Sequence, residues 1–260
     1  RTEALTVTAA PATSVTAPVI TASDATLSNA KSYLVEFTVG AATNIRQVVN
    51  DASKDTLSNI MTGLGVGTLA WNSAAWDTST GRVGDIVFDG GVYDNFGVED
   101  FWWAQSMLVI DLNNRLSCRN WSSPNSDPAA NVPLNIGAQS VAEGAWITAT
   151  FRAPLIVDGV AYNPVPSGLI TTAGFNTDVS GRMAMGQKAN GTYVILCVDG
   201  ASGVSGCTMA QLGTKLLAAG CVQAFNLDGG GSATLWYSGS VINTPSDAGG
   251  ERDIPAAIYV

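Results

Sequence analysis

Short apolar runs and alternating apolar and polar positions dominate this chain, and both patterns are typical of β-strands. Strands are predicted at residues 32–39, 82–88, 107–112, 145–151 and 155–160. Asn190-Gly191, between Gly186 and Tyr193, is the signal of a two-residue hairpin turn. We therefore expect strands to outnumber helices.

One helix is predicted in the first third of the chain, where Leu57, Ile60 and Met61 fall on a single helical face. Asp55 is its predicted N-cap, and the helix is expected to end near Gly63.

The last third of the chain predicts a strand, a helix and a second strand. An apolar run at residues 193–198 ends at Asp199, Thr208 is the predicted cap of a helix that Gly220 closes, and the next apolar run ends at Asp228. A strand, a crossover helix and a second strand form a parallel unit. We therefore expect Asp199 and Asp228 to follow neighbouring strands at one edge of a sheet.

The chain of 260 residues is long enough, at 46% hydrophobic residues, to bury one core. Residues 1–29 are rich in Thr, Ala, Ser and Val, and we interpret them as a linker, an N-terminal arm or an edge strand before a domain at 30–260. The predicted fold class is α+β, a strand-rich single domain with a mixed β-sheet, a few packed helices and a parallel β-α-β unit near the C-terminus. No apolar run reaches the length of a membrane span.

The charge and composition of the chain limit its partners and the residues that can act as acids and bases. A net charge of -9 argues against a nucleic-acid partner, because phosphate backbones are bound by clustered Lys and Arg. The chain has no His, so acid-base chemistry falls to carboxylates. The four cysteines lack the paired spacing of a zinc site, and buried thiols and a disulfide are both open interpretations.

A glycine run after the last predicted core strand is the strongest candidate for a binding site. Asn226 and Asp228 precede Gly229–Gly231, and Ser232 and Thr234 follow. Backbone N–H groups of such a run can bind an anion, whereas a turn between two strands is the purely structural interpretation. No Lys follows the glycines, which excludes a nucleotide phosphate loop.

Four motifs of the last third occur in the order GRMAMG (181–186), VDG (198–200), NLDGGGSAT (226–234) and NTPSDAGGER (243–252). In this order they resemble the phosphodiester glycosidase family, which includes the enzyme that uncovers mannose 6-phosphate by removing N-acetylglucosamine. Upstream, FRAPLIVDG (151–159) and FDGGVYD (88–94) resemble further family segments, although Asp89 stands where the family usually has Asn.

The resemblance implies hydrolysis of an α-glycoside whose leaving group is a phosphodiester. The oxocarbenium-like transition state of that reaction needs carboxylates, for which Asp228, Asp199 and Glu251 are the candidates, and Arg182 is the candidate ligand of the diester. The residues assigned to substrate binding are Asp89, Gly90, Gly91, Asn226, Gly229, Gly230, Gly231, Ser232 and Thr234.

Each candidate also has a structural interpretation. Arg182 could pair with Asp178, Asp199 could serve an Asp-Gly turn, and Glu251 could be a solvated loop charge. Asp228 could brace its own glycine turn.

The leading functional hypothesis is an extracellular, cell-surface or virion-surface hydrolase that acts on a glycan or sugar phosphodiester. The rival is a catalytically silent carbohydrate-binding module, for example a phage tail component, attached to a larger assembly through residues 1–29. Ester cleavage at phosphorus is a third possibility that would call for a fuller metal or His site. The sequence requires no cofactor and leaves the metal undetermined, with a divalent cation such as calcium as the alternative.

Overall fold

Antiparallel β-sheets are the main elements of the structure, a computed structural model that describes residues 15–27, 30–49, 53–73, 87–93, 106–120, 136–151, 154–162, 177–201 and 205–260. The helices of this part of the chain are α1 (Leu57–Leu64), α2 (Ile136–Ala142) and α3 (Met209–Ala218). The strands are β1 (Val19–Leu27), β2 (Ala30–Phe37), β3 (Arg46–Val49), β4 (Leu69–Asn72), β5 (Val87–Phe88), β6 (Gly91–Val92), β7 (Ser106–Asp111), β8 (Leu116–Asn120), β9 (Ala145–Phe151), β10 (Pro154–Val157), β11 (Val160–Ala161), β12 (Arg182–Lys188), β13 (Tyr193–Val198), β14 (Cys221–Asn226), β15 (Leu235–Tyr237), β16 (Ser240–Val241) and β17 (Ala256–Tyr259).

The central sheet has the strand order β1-β2-β13-β12-β14-β10-β11, and all its pairings are antiparallel. The predicted parallel β-α-β unit and the predicted mixed β-sheet are therefore both wrong, whereas the strand-rich α+β composition agrees with the prediction. β12 lies between β13 and β14 and pairs with both, so the two strands run in the same direction without touching. Their carboxyl ends still lie at one edge of the sheet, with the start of β12 between them.

The two faces of the central sheet bury different side chains, as the alternation of a β-strand requires. In β13, Tyr193, Ile195 and Cys197 join a large core cluster, whereas the alternate residues Val194 and Leu196 join a second cluster. The first cluster includes residues of β4, β7, β9 and β17 from the smaller sheets, and the second includes the buried face of α3. The central sheet is thus covered on both sides.

A second sheet, β16-β15-β4-β17-β3, packs against α1. Leu57, Ile60 and Met61 are buried there, as the predicted helical face requires. Thr56 caps the helix, and the neighbouring Asp55 instead accepts hydrogen bonds from the Thr56 N–H and the Asn59 side chain.

Several elements of the chain lie at or near the residues predicted for them. β9 coincides with residues 145–151, and the predicted strand at 155–160 is a hairpin, because Asp158 and Gly159 both have positive φ and turn the chain. Thr208 caps α3 through a capping box with Gln211. Residues 82–86 lie outside the described residues, and α2 has no counterpart in the sequence prediction.

β1 is an edge strand of the central sheet, paired with β2 from Val19↔Glu36 onward. This is one of the three interpretations of residues 1–29, and attachment through that segment stays a prediction. All four cysteines are free thiols. Within the described residues, no helix has the length and apolarity needed to cross a bilayer.

Candidate active site

Three motif segments meet at the shared edge of the central sheet through Gly181. The Gly181 N–H donates to the Gly200 carbonyl at 2.9 Å, and the Gly181 carbonyl accepts from the Gly230 N–H at 2.8 Å. A Cβ at position 181 would lie 2.6 Å from the Gly200 oxygen, so the close approach requires glycine. The junction holds the segments that follow β13 and β14 about 10 Å apart, which is two strand spacings.

The glycine run after β14 is held by the end of β4. The Asn72 side chain donates to the Asp228 carbonyl at 2.7 Å and accepts from the Thr234 N–H at 3.1 Å. The Asp228 N–H donates to the Ser73 carbonyl at 3.1 Å, and Gly230–Ser232 form one turn of 3₁₀ helix. Because Asn72 is buried, these bonds fix both ends of the loop.

Asp228 is a half-buried residue whose carboxyl group has an unusually high affinity for its proton. Burial raises its pKa to about 6, against the opposing effects of hydrogen bonds from Ser232 and the Gly229 N–H and of the charge of Arg252. It does brace its own glycine turn, since its Oδ1 accepts from the Gly229 N–H at 2.9 Å. A carboxyl group with such a pKa can exchange protons near neutral pH.

An arginine fork lies directly on the glycine run. Arg252 Nε and Nη2 bind the two oxygens of Asp247 at 2.8 and 3.0 Å, and Arg252 Nη1 lies 3.4 Å from Ser232 Oγ. A Cβ at Gly231 would collide with both Asp247 and Arg252, so the fork needs glycine beneath it. The Arg252 side chain is 41% exposed and is therefore open to a ligand.

Asp199 lies on the other side of the Gly181 junction. Its Oδ1 accepts from the Thr244 N–H at 3.0 Å, and the side chains of Asn243 and Thr244 also hydrogen-bond to it. Burial raises the pKa of Asp199, although these hydrogen bonds and the charge of Lys31 lower it. Asn243 also donates to the Ala233 carbonyl at 2.9 Å, which ties the Asp199 region to the chain that follows the glycine run.

Arg182 is buried at the start of β12, with its aliphatic chain close to Gly229. It is only 4% exposed, and its guanidinium donates to the backbone carbonyls of Cys207 and Asp178 at 3.2 and 2.8 Å. Burial lowers its pKa, and the charges that act on it come from Cys207 and Asp178. The expected pairing with Asp178 is thus made through the backbone and not through the carboxylate.

Glu251 contacts the first turn of α1. Its two carboxylate oxygens accept from the Ser58 N–H at 3.0 Å and from Ser58 Oγ at 2.5 Å. A negative charge at a helix N-terminus is favourable, so this placement is neither a solvated loop charge nor part of the glycine run.

Asp89 lies in the turn between β5 and β6 with a positive φ of 46° and forms an ion pair with Arg46, whose Nε is 2.6 Å from Oδ2. Burial raises the pKa of Asp89, while the bonds and the charge of Arg46 lower it. The Gln47 N–H reaches Asp89 Oδ1 at 3.4 Å, and the Gln47 side chain donates to Ser73, the residue whose carbonyl binds Asp228. Asp89 is therefore connected to Asp228 through hydrogen bonds and not by direct contact.

The motif segments lie within a region of the chain that is similar to known proteins. A sequence model of phosphodiester glycosidases matches residues 78–260, which is more than half of the chain. The chain belongs to the phosphodiester glycosidase family. This confirms the resemblance carried by the four motifs.

Proteins similar in sequence to this phosphodiester glycosidase include a prophage protein. The SPbeta prophage-derived uncharacterized protein YomE of Bacillus subtilis (strain 168) is 29% identical over 181 residues, 69% of this chain and 26% of that protein. The N-acetylglucosamine-1-phosphodiester alpha-N-acetylglucosaminidase of Bos taurus is 41% identical over 69 residues, 26% of this chain and 13% of the enzyme. The chain thus spans about a quarter or less of the length of these curated relatives.

Solved structures share the phosphodiester glycosidase fold. The catalytic domain of the zebrafish N-acetylglucosamine-1-phosphodiester alpha-N-acetylglucosaminidase, auto-inhibited by its pro-peptide, superposes with a TM-score of 0.69 at 19% identity, over 96% of this chain and 84% of that one. A hypothetical protein from Synechocystis gives a TM-score of 0.60 at 12% identity, over 96% of this chain and 64% of that one. At these identities the likeness concerns the fold.

Some of the remaining predicted binding residues already use their hydrogen-bonding groups within the fold, whereas two have a buried oxygen without a partner. The N–H groups of Gly229 and Gly230 already donate to Asp228 and Gly181. The side chains of Asn226 and Thr234 are buried, and Asn226 Oδ1 and Thr234 Oγ1 have no hydrogen-bond partner there. Across the described ranges, no three Asp, Glu, Cys or His side chains cluster to hold a metal.

Four residues near the two acids were not among the predicted site residues. Arg252 and Asp247 form the fork, and Asn72 and Asn243 hold the loops. Arg252 and Asp247 belong to the family motif NTPSDAGGER and could have been found there. Asn72 follows an ordinary apolar run, and only the fold brings it to Asp228.

Proposed function

We propose that this protein is a glycoside hydrolase that releases a sugar of the N-acetylglucosamine type from a phosphodiester-linked glycan or polymer. One observation carries the proposal, which is the placement of the half-buried Asp228, with its raised pKa, beside an exposed arginine fork on the glycine run. The carboxylate can act on the anomeric carbon or its attacking water, while the fork binds the charge of the diester. Family membership supports the same reaction class.

Asp228 is the proposed carboxylate of the bond-breaking step. A phosphodiester leaves as a stable anion, so help from a strong general acid is less important than for an ordinary glycoside. The ionised form of Asp228 then activates water or attacks as a nucleophile. A retaining pair would need a second carboxylate about 5–5.5 Å away. Asp199 and Asp228 follow strands that β12 separates, and the charge of Asp199 is not among the influences on the pKa of Asp228.

Arg252 takes the proposed role of diester ligand in place of Arg182. A guanidinium has five N–H donors, and the side-on fork to Asp247 uses two of them. Of the remaining three, one points to Ser232, so two are available to an anion. Asp247 fixes the plane of the guanidinium, which lowers the entropic cost of binding.

The test is to incubate the protein with an α-N-acetylglucosamine 1-phosphodiester and to follow free reducing sugar. We expect release in the wild type, a loss of about 100-fold or more in Asp228→Asn, and an unchanged rate in Asp158→Asn, a turn variant at the opposite end of β14. Because the ionised form is required, kcat/KM should fall below about pH 6. Release of a sugar phosphate would instead place the cleavage on the phosphorus side.

A second candidate is a carbohydrate-binding module that does not turn its ligand over. It is favoured by the ion pair that holds Asp89 against Arg46 at the position where the family usually has Asn. The prophage origin of one relative supports a virion or extracellular location for either candidate. Saturable glycan binding without any sugar release would select the module. The same assay with a chelator tests our proposal that no divalent cation is required.

A further inference from the structure

A groove of about 440 Å³ lies beside Asp199, separated from Asp228 by the start of β12. Its walls are formed by residues 30–31, 199–201 and 244–246, with Ser205 at one side. The volume is within the range of small-ligand sites, about 300–1,000 Å³. The groove is lined by small and hydroxyl-bearing residues and by one charge of each sign.

The two charges of the groove are suited to sugar hydroxyls. Asp199 accepts three hydrogen bonds from Thr244 and Asn243, and a carboxylate has about four acceptor positions, so one remains for a ligand. The exposed Lys31 side chain supplies N–H donors, and its ammonium lies 5.0 Å from the centre of the Tyr33 ring. A pair of adjacent sugar hydroxyls can donate to the carboxylate and accept from the ammonium at once.

One wall of the groove leads directly, in sequence, to the proposed diester site. Thr244, Pro245 and Ser246 form one wall, and the next residue, Asp247, holds the Arg252 fork. A substrate longer than one sugar can therefore contact the groove and Arg252 together. We infer that this groove binds a second sugar ring of the substrate, an inference that rests on the proposed function. Asp199 then binds the substrate in the groove and takes no part in bond cleavage.

The test compares two diesters of α-N-acetylglucosamine 1-phosphate, a methyl ester and an ester of a hexose. The wild type should have the lower KM for the hexose ester. Lys31→Met and Asp199→Asn should each reduce the ratio of the methyl-ester KM to the hexose-ester KM about tenfold. The kcat values should stay within a few-fold of wild type. Because Lys31 is exposed, Lys31→Met is the variant that keeps the test valid if Asp199→Asn folds poorly.

The matched controls are Lys188→Met, at the opposite end of β12, and Asp158→Asn in the β10–β11 turn. Neither should change the ratio of the two KM values. An unchanged ratio in Lys31→Met would overturn the inference, as would a fall in kcat of about 100-fold in folded Asp199→Asn with the methyl ester, which would return Asp199 to the chemistry.

The failure of the proposed function can be told apart from the failure of this inference. If neither diester is cleaved, the same proteins are titrated calorimetrically with the intact hexose ester and with the methyl ester. Tighter binding of the hexose ester that Lys31→Met abolishes would still support the groove as a sugar site. Equal binding of the two esters, or no effect of Lys31→Met, would reject it.

Discussion

Folding raises the pKa of the Asp228 carboxyl group. Its pKa of about 6 reflects a loss of solvation that exceeds the help of Ser232, Gly229 and Arg252. An ionisation that is costly in the folded state lowers stability at every pH at which the unfolded chain is already ionised. The property that suits Asp228 to proton transfer therefore destabilises the fold at neutral pH.

We predict that Asp228→Asn stabilises the protein by roughly 1–3 kcal/mol at about pH 7.5. The unfolded chain loses this proton near pH 4, whereas the folded protein keeps it until about pH 6, so the stability cost grows between these values as pH rises. The amide can still accept from the Gly229 N–H. Urea unfolding at about pH 7.5 and about pH 4 measures the difference, which should vanish at the lower pH. A variant less stable than the wild type at the higher pH would contradict this account.

Gly231 limits where the arginine fork can lie. A side chain at this position would overlap Asp247 and Arg252, whereas a Cβ at Gly249, in the same segment, meets nothing within 4 Å. We predict that Gly231→Ala displaces the fork and lowers kcat/KM about tenfold or more for the anionic substrate, since small misplacements are costly. Gly249→Ala is the matched control and should retain wild-type kinetics. Equal kinetics in the two variants would show that the position of the fork does not matter.

The first turn of α1 depends on a residue that is distant in sequence. Glu251 accepts from both the backbone and the side chain of Ser58, so the pair joins the helix to the segment that carries Arg252. We predict a coupling free energy of about 1 kcal/mol or more between Glu251→Ala and Ser58→Ala in a double-mutant cycle of unfolding. The Arg119 and Glu143 ion pair, whose side chains are 31% and 57% exposed, is the control and should couple more weakly. Additive effects of Glu251→Ala and Ser58→Ala would mean that the bond from Ser58 Oγ contributes no stability, since Ser58→Ala leaves the backbone bond in place.

Secondary-structure elements were predictable from the sequence where one local signal sufficed. The β9 strand follows from apolar alternation, and α3 follows from the Thr208 cap and Gly220. The pairing of strands was not predictable in this way. β13 and β14 have a helix between them, as a parallel unit would, but β12 precedes both in sequence and occupies the place between them.

The same limit explains which site residues sequence reasoning could assign. Asp228 and the glycine run lie together because they are adjacent in sequence, and the motif alone predicts their proximity. Arg182 is equally prominent in its motif, yet its guanidinium binds backbone carbonyls. No sequence motif predicts that these carbonyls lie beside it. Arg252 reaches Asp228 only because the chain returns past Gly231 after β16.

The whole protein carries a net charge of -9, while the proposed substrate is an anion. With the proposed function, we expect distant carboxylates to repel the ligand that Arg252 attracts at short range. Charges further apart than the Debye length, about 10 Å at 0.1 M salt, are screened, whereas a direct contact is affected less. Salt should thus weaken the repulsion more than the attraction.

We predict that kcat/KM for the diester rises about two- to fivefold as ionic strength increases from about 0.01 M to about 0.15 M. The neutral methyl α-glycoside of the same sugar, measured by its binding affinity, is the control ligand and should show no such change. Replacing Arg252 with Gln should weaken binding of the diester at both ionic strengths without removing the rise, because the repulsion comes from the rest of the surface. If kcat/KM instead falls steadily with salt, the local field of the fork dominates the approach of the substrate, and the acidic surface has no part in setting the rate.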